Sequence, residues 1–515
     1  MPKPAKPIQP PKGTRDLYPD DVLKRRYIQN AWRDASLRCG FDEIEGPTFE
    51  SSDLYSIKSG EGILSELFQT FSGKGGQETL DKLVEKGKAD FALRPEFTPT
   101  LARMYAARAK QLTKPCKWFT AGPYFRAERP QRGRLREFLQ WNCDILADDS
   151  ISADLELIQT QVCLLESLGL KASNTQIKIN DRKFIEECVL SIGVPKSNLV
   201  EMLRFMDDAT KMDKKHLLGV GPIEAEEIGF DFDTYMDLQY VLWKGSYGFE
   251  GEMNEQVQFV TEELIHALTK EDRKLDLTRA VAALGDLAKI AVRTRDSNLS
   301  EWVSFDHEIV RGLAYYTGTV FEAIAEGERA VAGGGRYDNL IELMGGPPTP
   351  AVGFAMGDVV LTNLLEDNNL IPEGPELMEA VSRKQASIRP EAFIAVPNND
   401  EENRAAAQSL AAALRRGQES ETYLARDDRK PWQSDRYAIP PIHTRTSYKS
   451  TTNPGKLRKD ADSQHAKYFV EIHAPNKVEL TDMDKRESIT SSAGTFSVNP
   501  TDQNYIGTAL AQLTQ

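Results

Sequence analysis

"FRAERPQRGRLREFLQWNCDIL", residues 125–146, decides the fold. Its first part carries Arg126, Arg129, Arg132, Arg134 and Arg136 beside Glu128 and Glu137, in a chain whose net charge is −14. Upstream, "CKWFTAGPYFRAE" (116–128) alternates like a strand, and "LREFLQWNCDILA" (135–147) alternates again. The arginine cluster is therefore the tip of a long antiparallel hairpin, with "PQRG" (130–133) as turn chemistry. Arg126 follows Phe125 at a strand end, where a guanidinium is held firmly enough to grip a planar anion bidentately. The other four occupy the tip and the returning strand. Converging guanidinia suit a triphosphate, because a reacting phosphoryl group gains most from positive charge already in place. The plainer alternative is a solvated charged hairpin.

Three other stretches carry candidate chemistry. In "LRPEFTPT" (93–100), prolines flank Glu96, and Thr98 follows it. Rigid flanks of this kind suit capture of an ammonium group. The same residues also read as a helix start, with Thr98 as N-cap and Pro99 at N1. "RGLAYYTGTVFE" (311–322) places Arg311 and a Tyr315–Tyr316 pair ahead of an alternating strand. Adjacent strand tyrosines face opposite sides, so only one can line a given pocket. The glycines of "GGGRYD" (333–338) permit close backbone approach to a ligand, or mark a hairpin turn. The six histidines (216, 266, 307, 443, 465, 473) are scattered, with none paired at metal spacing. No catalytic histidine and no transition-metal site is expected.

The 515 residues imply two to four units, at roughly 150 residues per domain. An apolar content of 40% and a charged content of 28% are those of a globular chain with a sizeable core. With 78 carboxylates against 64 Lys and Arg, wholesale coating by nucleic acid or an anionic membrane is disfavoured. The five cysteines, Cys39, Cys116, Cys143, Cys163 and Cys188, are widely spaced and read as reduced thiols. No apolar run approaches the roughly 18 residues of a membrane helix, and the reduced thiols make a cytoplasmic protein the expectation.

Residues 1–12 read as a disordered, proline-rich tail. Helical periodicity follows over 20–39, with Leu23, Tyr27, Ala31 and Ala35 on one face. "FDEIEGPTFE" (41–50) reads as a short strand, 98–112 as a helix, and 149–170 as an amphipathic helix ending at Gly169. Residues 183–290 are mostly helical and acidic, with a glycine-rich break over 217–233, as in an inserted module. Strand character returns after residue 302. Residues 367–388 are linker-like, and 389–515 read as a small α/β domain holding an irregular insert at 427–456. Arg426, Arg429, Lys430, Trp432, Arg436, Tyr437 and Arg445 could stack and pair with RNA there, against the alternative of a solvated irregular loop.

Taken in order, these stretches resemble the histidyl-tRNA synthetases, a class II aminoacyl-tRNA synthetase family. The resemblance runs from "GTRDLYPD" at Gly13 to about Leu365. "GPTFE" (46–50) is similar to the first class II motif, which builds a dimer interface, and residues 125–146 are similar to the second. "RGLAYYTGTVFE" and "GGGRYDNL" are similar to the two histidine-specific signatures. The resemblance implies an α+β fold: a class II antiparallel sheet with flanking helices and a helical insertion (13–366), then an anticodon-binding-like α/β domain. It implies a homodimer that uses ATP and Mg²⁺ to form histidyl-adenylate, releases pyrophosphate, and passes histidine to the 3′ end of tRNA(His).

Residue by residue, the resemblance implies that Arg126 grips the α-phosphate and the substrate carboxylate. Glu128 would lie near the adenine, and Arg134 would reach the γ-phosphate. Glu96, Thr98 and Gln140 would hold the histidine amino group, with Asp144 and Tyr316 on the imidazole and Tyr315 beside it. Arg311 would be a further cation at the attacked phosphate. Two positions depart from the family pattern. Val360, in "GDVVL" (357–361), stands where the third motif has an ATP-clamping arginine, and Ala314 stands where the family has aspartate. Arg132, Arg134 or a lysine would then have to supply the lost charge. The altered third motif also fits a non-charging paralogue, such as the histidine-binding regulatory subunit of ATP phosphoribosyltransferase.

Overall fold

The computed structural model describes residues 8–489 apart from 60–64, 72–75, 87–88, 210–211, 213, 248–250, 269–275, 310–315, 326, 384, 399, 450 and 475–476. Its centre is an eight-stranded, mostly antiparallel sheet. The strand order is Asp42–Glu43, Cys116–Phe125, Glu137–Leu146, Ala351–Gly357, Ala332–Arg336, Thr319–Ile324, Gln176–Asp181, Val303–Phe305. The hairpin is in register from Cys116↔Leu146 to Phe125↔Glu137. Beyond that pair the chain leaves the ladder, so Arg134 and Arg136 belong to the tip loop and not to a returning strand. The tip is closed by Arg126 N donating to Arg136 O and by a turn at Gly133, where φ is +73°.

Helix Ile151–Ser167 is buried from Ala153 to Leu165, the polar Asp154, Glu156, Gln159, Thr160 and Gln161 included. It lies under the sheet, flanked by helices Pro19–Arg38 and Thr278–Asp296. On Pro19–Arg38, Tyr27 and Ala35 are buried, with Leu23 and Ala31 packed against the same core. The stretch "FDEIEGPTFE" forms two strands and not one. Asp42–Glu43 joins the large sheet, while Phe49–Ser51 pairs with Phe91–Leu93 in a separate three-stranded sheet. The break falls at Gly46–Pro47, whose carbonyls face the buried Arg94 guanidinium. Thr98 is the first helical residue of Thr98–Arg108; Phe97 takes the N-cap position, so Thr98 is not the cap.

Helices Arg182–Ser191, Leu199–Ala209, Lys214–Ile228, Phe232–Tyr247, Met253–Leu268 and Thr278–Asp296 fill the region read as an insertion. The glycine-rich break is displaced. Helix Lys214–Ile228 runs through Gly219, Gly221 and Pro222, and the chain turns at Gly229, where φ is +88°. Residues 367–388 are not a free linker: helix Gly374–Ser382 lies against Pro19–Arg38 and buries Leu377. Residues 1–7 fall outside the described residues. Pro11 and Lys12 are tied down, Pro11 O accepting from Thr14 N and Lys12 O from Arg136 Nη1.

The carboxy-terminal part is a five-stranded sheet in the order Thr444–Thr446, Ala392–Ala395, Tyr468–Ala474, Lys477–Asp482, Glu487–Ile489, with helices Glu401–Arg416 and Pro454–Ser463. It meets the part built on the eight-stranded sheet through buried charge. Lys117 Nζ and Arg415 Nη2 each donate to Glu156 Oε1 at 2.6 Å, and the Tyr448 hydroxyl donates to Glu156 Oε2. The stretch expected to face RNA is largely spent on this junction. Arg436 donates to Ser167 O at 2.8 Å and Glu166 O at 2.7 Å. Trp432 Nε1 donates to Glu376 at 2.8 Å, Lys430 to Asn369 O at 3.1 Å, and Arg445 to Asp42 at 2.7 Å. The insert is also less irregular than its composition suggests, since it holds strands Tyr437–Ile439 and Thr444–Thr446.

Candidate active site

The hairpin tip, the segment ahead of helix Thr98–Arg108 and the central strands enclose a cavity of about 270 Å³. It gathers Glu96, Thr98, Arg126, Arg134, Gln140, Asp144 and Tyr316 from three separate stretches of sequence. Glu128 stands at its edge, in an ion pair with Arg134 at 2.6 Å. Arg311 and Tyr315 lie outside the described residues, as does Ala314. A larger cleft of about 1120 Å³ opens between the two halves of the chain, but none of these motif residues lines it.

Each wall has a local cause. The segment 93–97 is anchored by the buried Arg94, which donates to Pro123 O at 2.9 Å and lies 4.7 Å from the Tyr124 ring centre. That anchoring sets Pro95 beside the hairpin, where its carbonyl accepts from Arg126 Nε at 3.2 Å. The Arg126 guanidinium lies 5.3 Å from the Phe138 ring centre, a cation–π contact that limits its swing. One donor edge is thus occupied, and the remaining nitrogens are positioned by a rigid support.

Deeper in, Gln140 is buried, and its Oε1 has no hydrogen-bond partner among the described residues. A buried acceptor left unpaired costs roughly 1–3 kcal/mol, so the position favours a ligand that brings a donor. Asp144 is buried and accepts from the Tyr337 hydroxyl at 2.5 Å. Burial, and then the Asp144 charge, hold Tyr337 well above the usual phenol range, so it stays a donor. Sequence reading missed Tyr337, which directly follows strand Ala332–Arg336; its period-two relation to Gly335 and Gly333 is the signal that could have found it.

The glycines here are packing devices. An added Cβ on Gly334 would lie 2.3 Å from Gly353 O, and one on Gly335 would lie 3.1 Å from the Tyr316 ring. They sit within a central strand, so the hairpin-turn alternative fails. Gly353, opposite Asp144 in the sheet, would place a Cβ 1.9 Å from Asp144 Oδ1. Sequence reading missed it, because only the strand register reveals the pairing. Arg336 is structural: it pairs with the buried Asp154 and donates to Asp148 O at 3.1 Å. No histidine lines the cavity among the described residues. Away from it, Glu471, His473 and Glu479 bring ligand atoms within 4.8 Å across two strands, a proximity that linear spacing did not show.

An antiparallel sheet that displays an arginine hairpin beside an amino-acid-sized polar cavity is the catalytic architecture of a class II aminoacyl-tRNA synthetase. The sequence profile described as Histidyl-tRNA synthetase matches residues 13–227 and 244–358. The chain belongs to that family. It is 34% identical over 368 residues to a chloroplastic/mitochondrial histidine–tRNA ligase of Arabidopsis thaliana, covering 71% of this chain and 68% of the relative. It is 35% identical over 365 residues to the histidine–tRNA ligase of Opitutus terrae, covering 70% and 75%. The histidyl-tRNA synthetase structure from Nostoc sp. PCC 7120 superposes with a TM-score of 0.55 at 18% identity, over 94% of this chain and 96% of that one.

Proposed function

We propose that the chain is a working histidine–tRNA ligase. The observation that carries the reading is the shared cavity: the buried, unpartnered Gln140 Oε1 and the Asp144–Tyr337 pair stand at one end, and Arg126 and Arg134 at the other. The first group suits an amino acid with donors at both its amino group and its side chain. The second suits a triphosphate. Supporting the reading, the curated relatives that match over most of the chain are ligases of this kind.

In this reading Gln140, Glu96 and Thr98 hold the substrate ammonium, and Asp144 takes an imidazole N–H with Tyr316 alongside. An apolar amino acid would bring no donor to the buried Asp144 carboxylate, which is the source of discrimination. Arg126 bridges the substrate carboxylate and the α-phosphate. A carboxylate oxygen forms a bond to the α-phosphorus as the bond to the bridging oxygen breaks, and pyrophosphate leaves with that electron pair. No side-chain nucleophile is needed, because positioning and fixed positive charge stabilise the anionic transition state. ATP is taken with Mg²⁺ already on its phosphates, as part of the substrate. The ribose hydroxyl at the tRNA 3′ end then attacks the acyl carbon and releases AMP. Arg134 must leave Glu128 to reach the terminal phosphates, freeing Glu128 for the adenine edge. A cytoplasmic homodimer, joined through the segment around Pro47, and an anticodon-reading role for residues 389–515 complete the proposal.

Histidine-dependent exchange between ATP and pyrophosphate tests it. Exchange that requires histidine and is absent with other amino acids is expected. Background exchange at saturating histidine would overturn the reading in favour of the non-charging paralogue that Val360 suggests.

A further inference from the structure

Near the hairpin tip, the cavity wall contains Val360, an apolar side chain beside Gly133. Arg132, one candidate to supply the missing charge, is committed elsewhere. It is paired with Glu328 and, at 2.9 Å, with Asp367. Another guanidinium stem does reach the place. An added Cβ on Gly133 would meet Val360 Cγ2 at 3.1 Å and Arg329 Cδ at 3.4 Å. The Arg329 stem and Val360 therefore both pack over Gly133, and both line the same cavity as Arg126 and Arg134.

The backbone that carries Arg329 is fixed from both sides. Glu328 is held by Arg132 of the hairpin tip, with Arg132 Nε donating at 3.0 Å. On the other side Val331 N donates to Ala323 O at 2.7 Å, tying the segment to strand Thr319–Ile324. Gly133 also contributes. Its lack of a side chain leaves room for the arginine stem and the Val360 methyl in one layer, and its positive φ would strain other residues there. The guanidinium so placed is always charged and can bind phosphate oxygens bidentately.

Resting on the ligase reading, we infer that Arg329 is a nucleotide-binding residue that contacts the terminal phosphates of ATP in place of a cation at position 360. The charge reaches the triphosphate from the loop before strand Ala332–Arg336, where a cation at 360 would come from helix Asp358–Asp367. This explains how the cavity keeps a positive wall with valine at that site.

The test is calorimetric titration of the wild-type chain, Arg329→Ala and Arg329→Lys with MgATP and with AMP. Arg329 is exposed, so both variants should fold, and thermal melting checks this. A contact with the terminal phosphates predicts a loss of about tenfold or more in MgATP affinity for Arg329→Ala, with lysine retaining part of it. AMP affinity should be unchanged. MgATP affinity near the wild-type value, or an equal loss for AMP and ATP, overturns the assignment. Histidine-dependent exchange measured in parallel separates the two failures. An exchange-competent wild type whose KM for ATP is unmoved by Arg329→Ala sinks Arg329 alone. Absence of wild-type exchange sinks the ligase reading, and the titrations still decide Arg329.

Discussion

Tyr337 donates its hydroxyl to Asp144 Oδ1 at 2.5 Å, joining residues 193 positions apart across the floor of the cavity. The carboxylate proposed to face the imidazole is therefore held by a buried phenol. Tyr337→Phe removes one charge-assisted hydrogen bond, worth roughly 1.5–3 kcal/mol, so KM for histidine should rise by about tenfold or more. KM for ATP should stay put. Steady-state exchange with each substrate varied checks the split, and an equal rise in both constants would mean general disruption.

Gly353→Ala attacks the same carboxylate from the neighbouring strand. Its Cβ would stand 1.9 Å from Asp144 Oδ1, so Asp144 or the strand must shift. Histidine binding should fall by more than in Tyr337→Phe. Gly285→Ala, in helix Thr278–Asp296 with nothing within 4 Å of the new Cβ, should leave activity unchanged and raise stability by roughly 0.5–1 kcal/mol. Equal activity for the two variants would count against a fixed Asp144.

Arg126→Ala removes the guanidinium that lies over Phe138 and donates to Pro95 O. Loss of one preorganised donor at developing charge typically costs about 10²–10³ in kcat. Single-turnover adenylate formation should drop by that factor while the melting temperature moves little. A variant with near-normal adenylate formation would remove Arg126 from the phosphate contact.

Glu156 is the pivot between the two halves of the chain. Burial alone would raise its pKa, but Lys117 and Arg415 pull it down to about 2. Its folded pKa is below the unfolded value, so its contribution is present above about pH 4.5 and is lost as pH falls toward 2. Glu156→Gln leaves two buried cations without their counter-ion, and breaking such a pair costs about 3–5 kcal/mol. Urea unfolding at neutral pH should show that loss. A value within experimental error of wild type would mean that the halves are joined by the surrounding packing instead.

His443 should make the chain acid-sensitive at a milder pH. Its Nδ1 is 2.8 Å from Ser387 O, and its Nε2 accepts from Arg445 Nε at 3.1 Å, an arrangement only the neutral ring can make. Burial, and then the Arg445 charge, lower its pKa from 6.5 to about 3. The unfolded ring takes up a proton first, so stability is full above pH 6.5 and falls steadily toward pH 3. From pH 6.5 to 5 the loss is about 2 kcal/mol from this residue, at 1.36 kcal/mol per pH unit. Buried His307, lowered to about 4 by burial, adds a similar slope. Denaturation series at pH 7 and pH 5 should show a smaller difference for His443→Asn than for wild type.

The hairpin, the helix Ile151–Ser167 and the strand flanks of "GGGRYDNL" were legible because their periodicity reflects one buried face, or a buried interior on all sides. The placing of Arg126, Gln140 and Asp144 in one cavity was foreshadowed by a motif dense enough to identify. Local chemistry misled in three places. Gly219, Gly221 and Pro222 look like a helix break, yet tertiary packing carries the helix through to Gly229. Residues 367–388 look like a linker, yet Leu377 is buried. Arg436 and Trp432 look like RNA contacts, yet both anchor one half of the chain to the other.

The sequence by itself determined the family, the hairpin with its arginines, and candidate site residues that share one cavity. These follow from the order of side chains along short segments. Only the tertiary structure decided which distant residues complete the site. Tyr337 and Gly353 flank Asp144 through strand register, Arg329 and Val360 both pack over Gly133, which leaves space for them, and Glu156 is held by cations from both halves. Such partners are fixed by packing and by the need to satisfy buried charge, and neither constraint is written in the spacing of one segment.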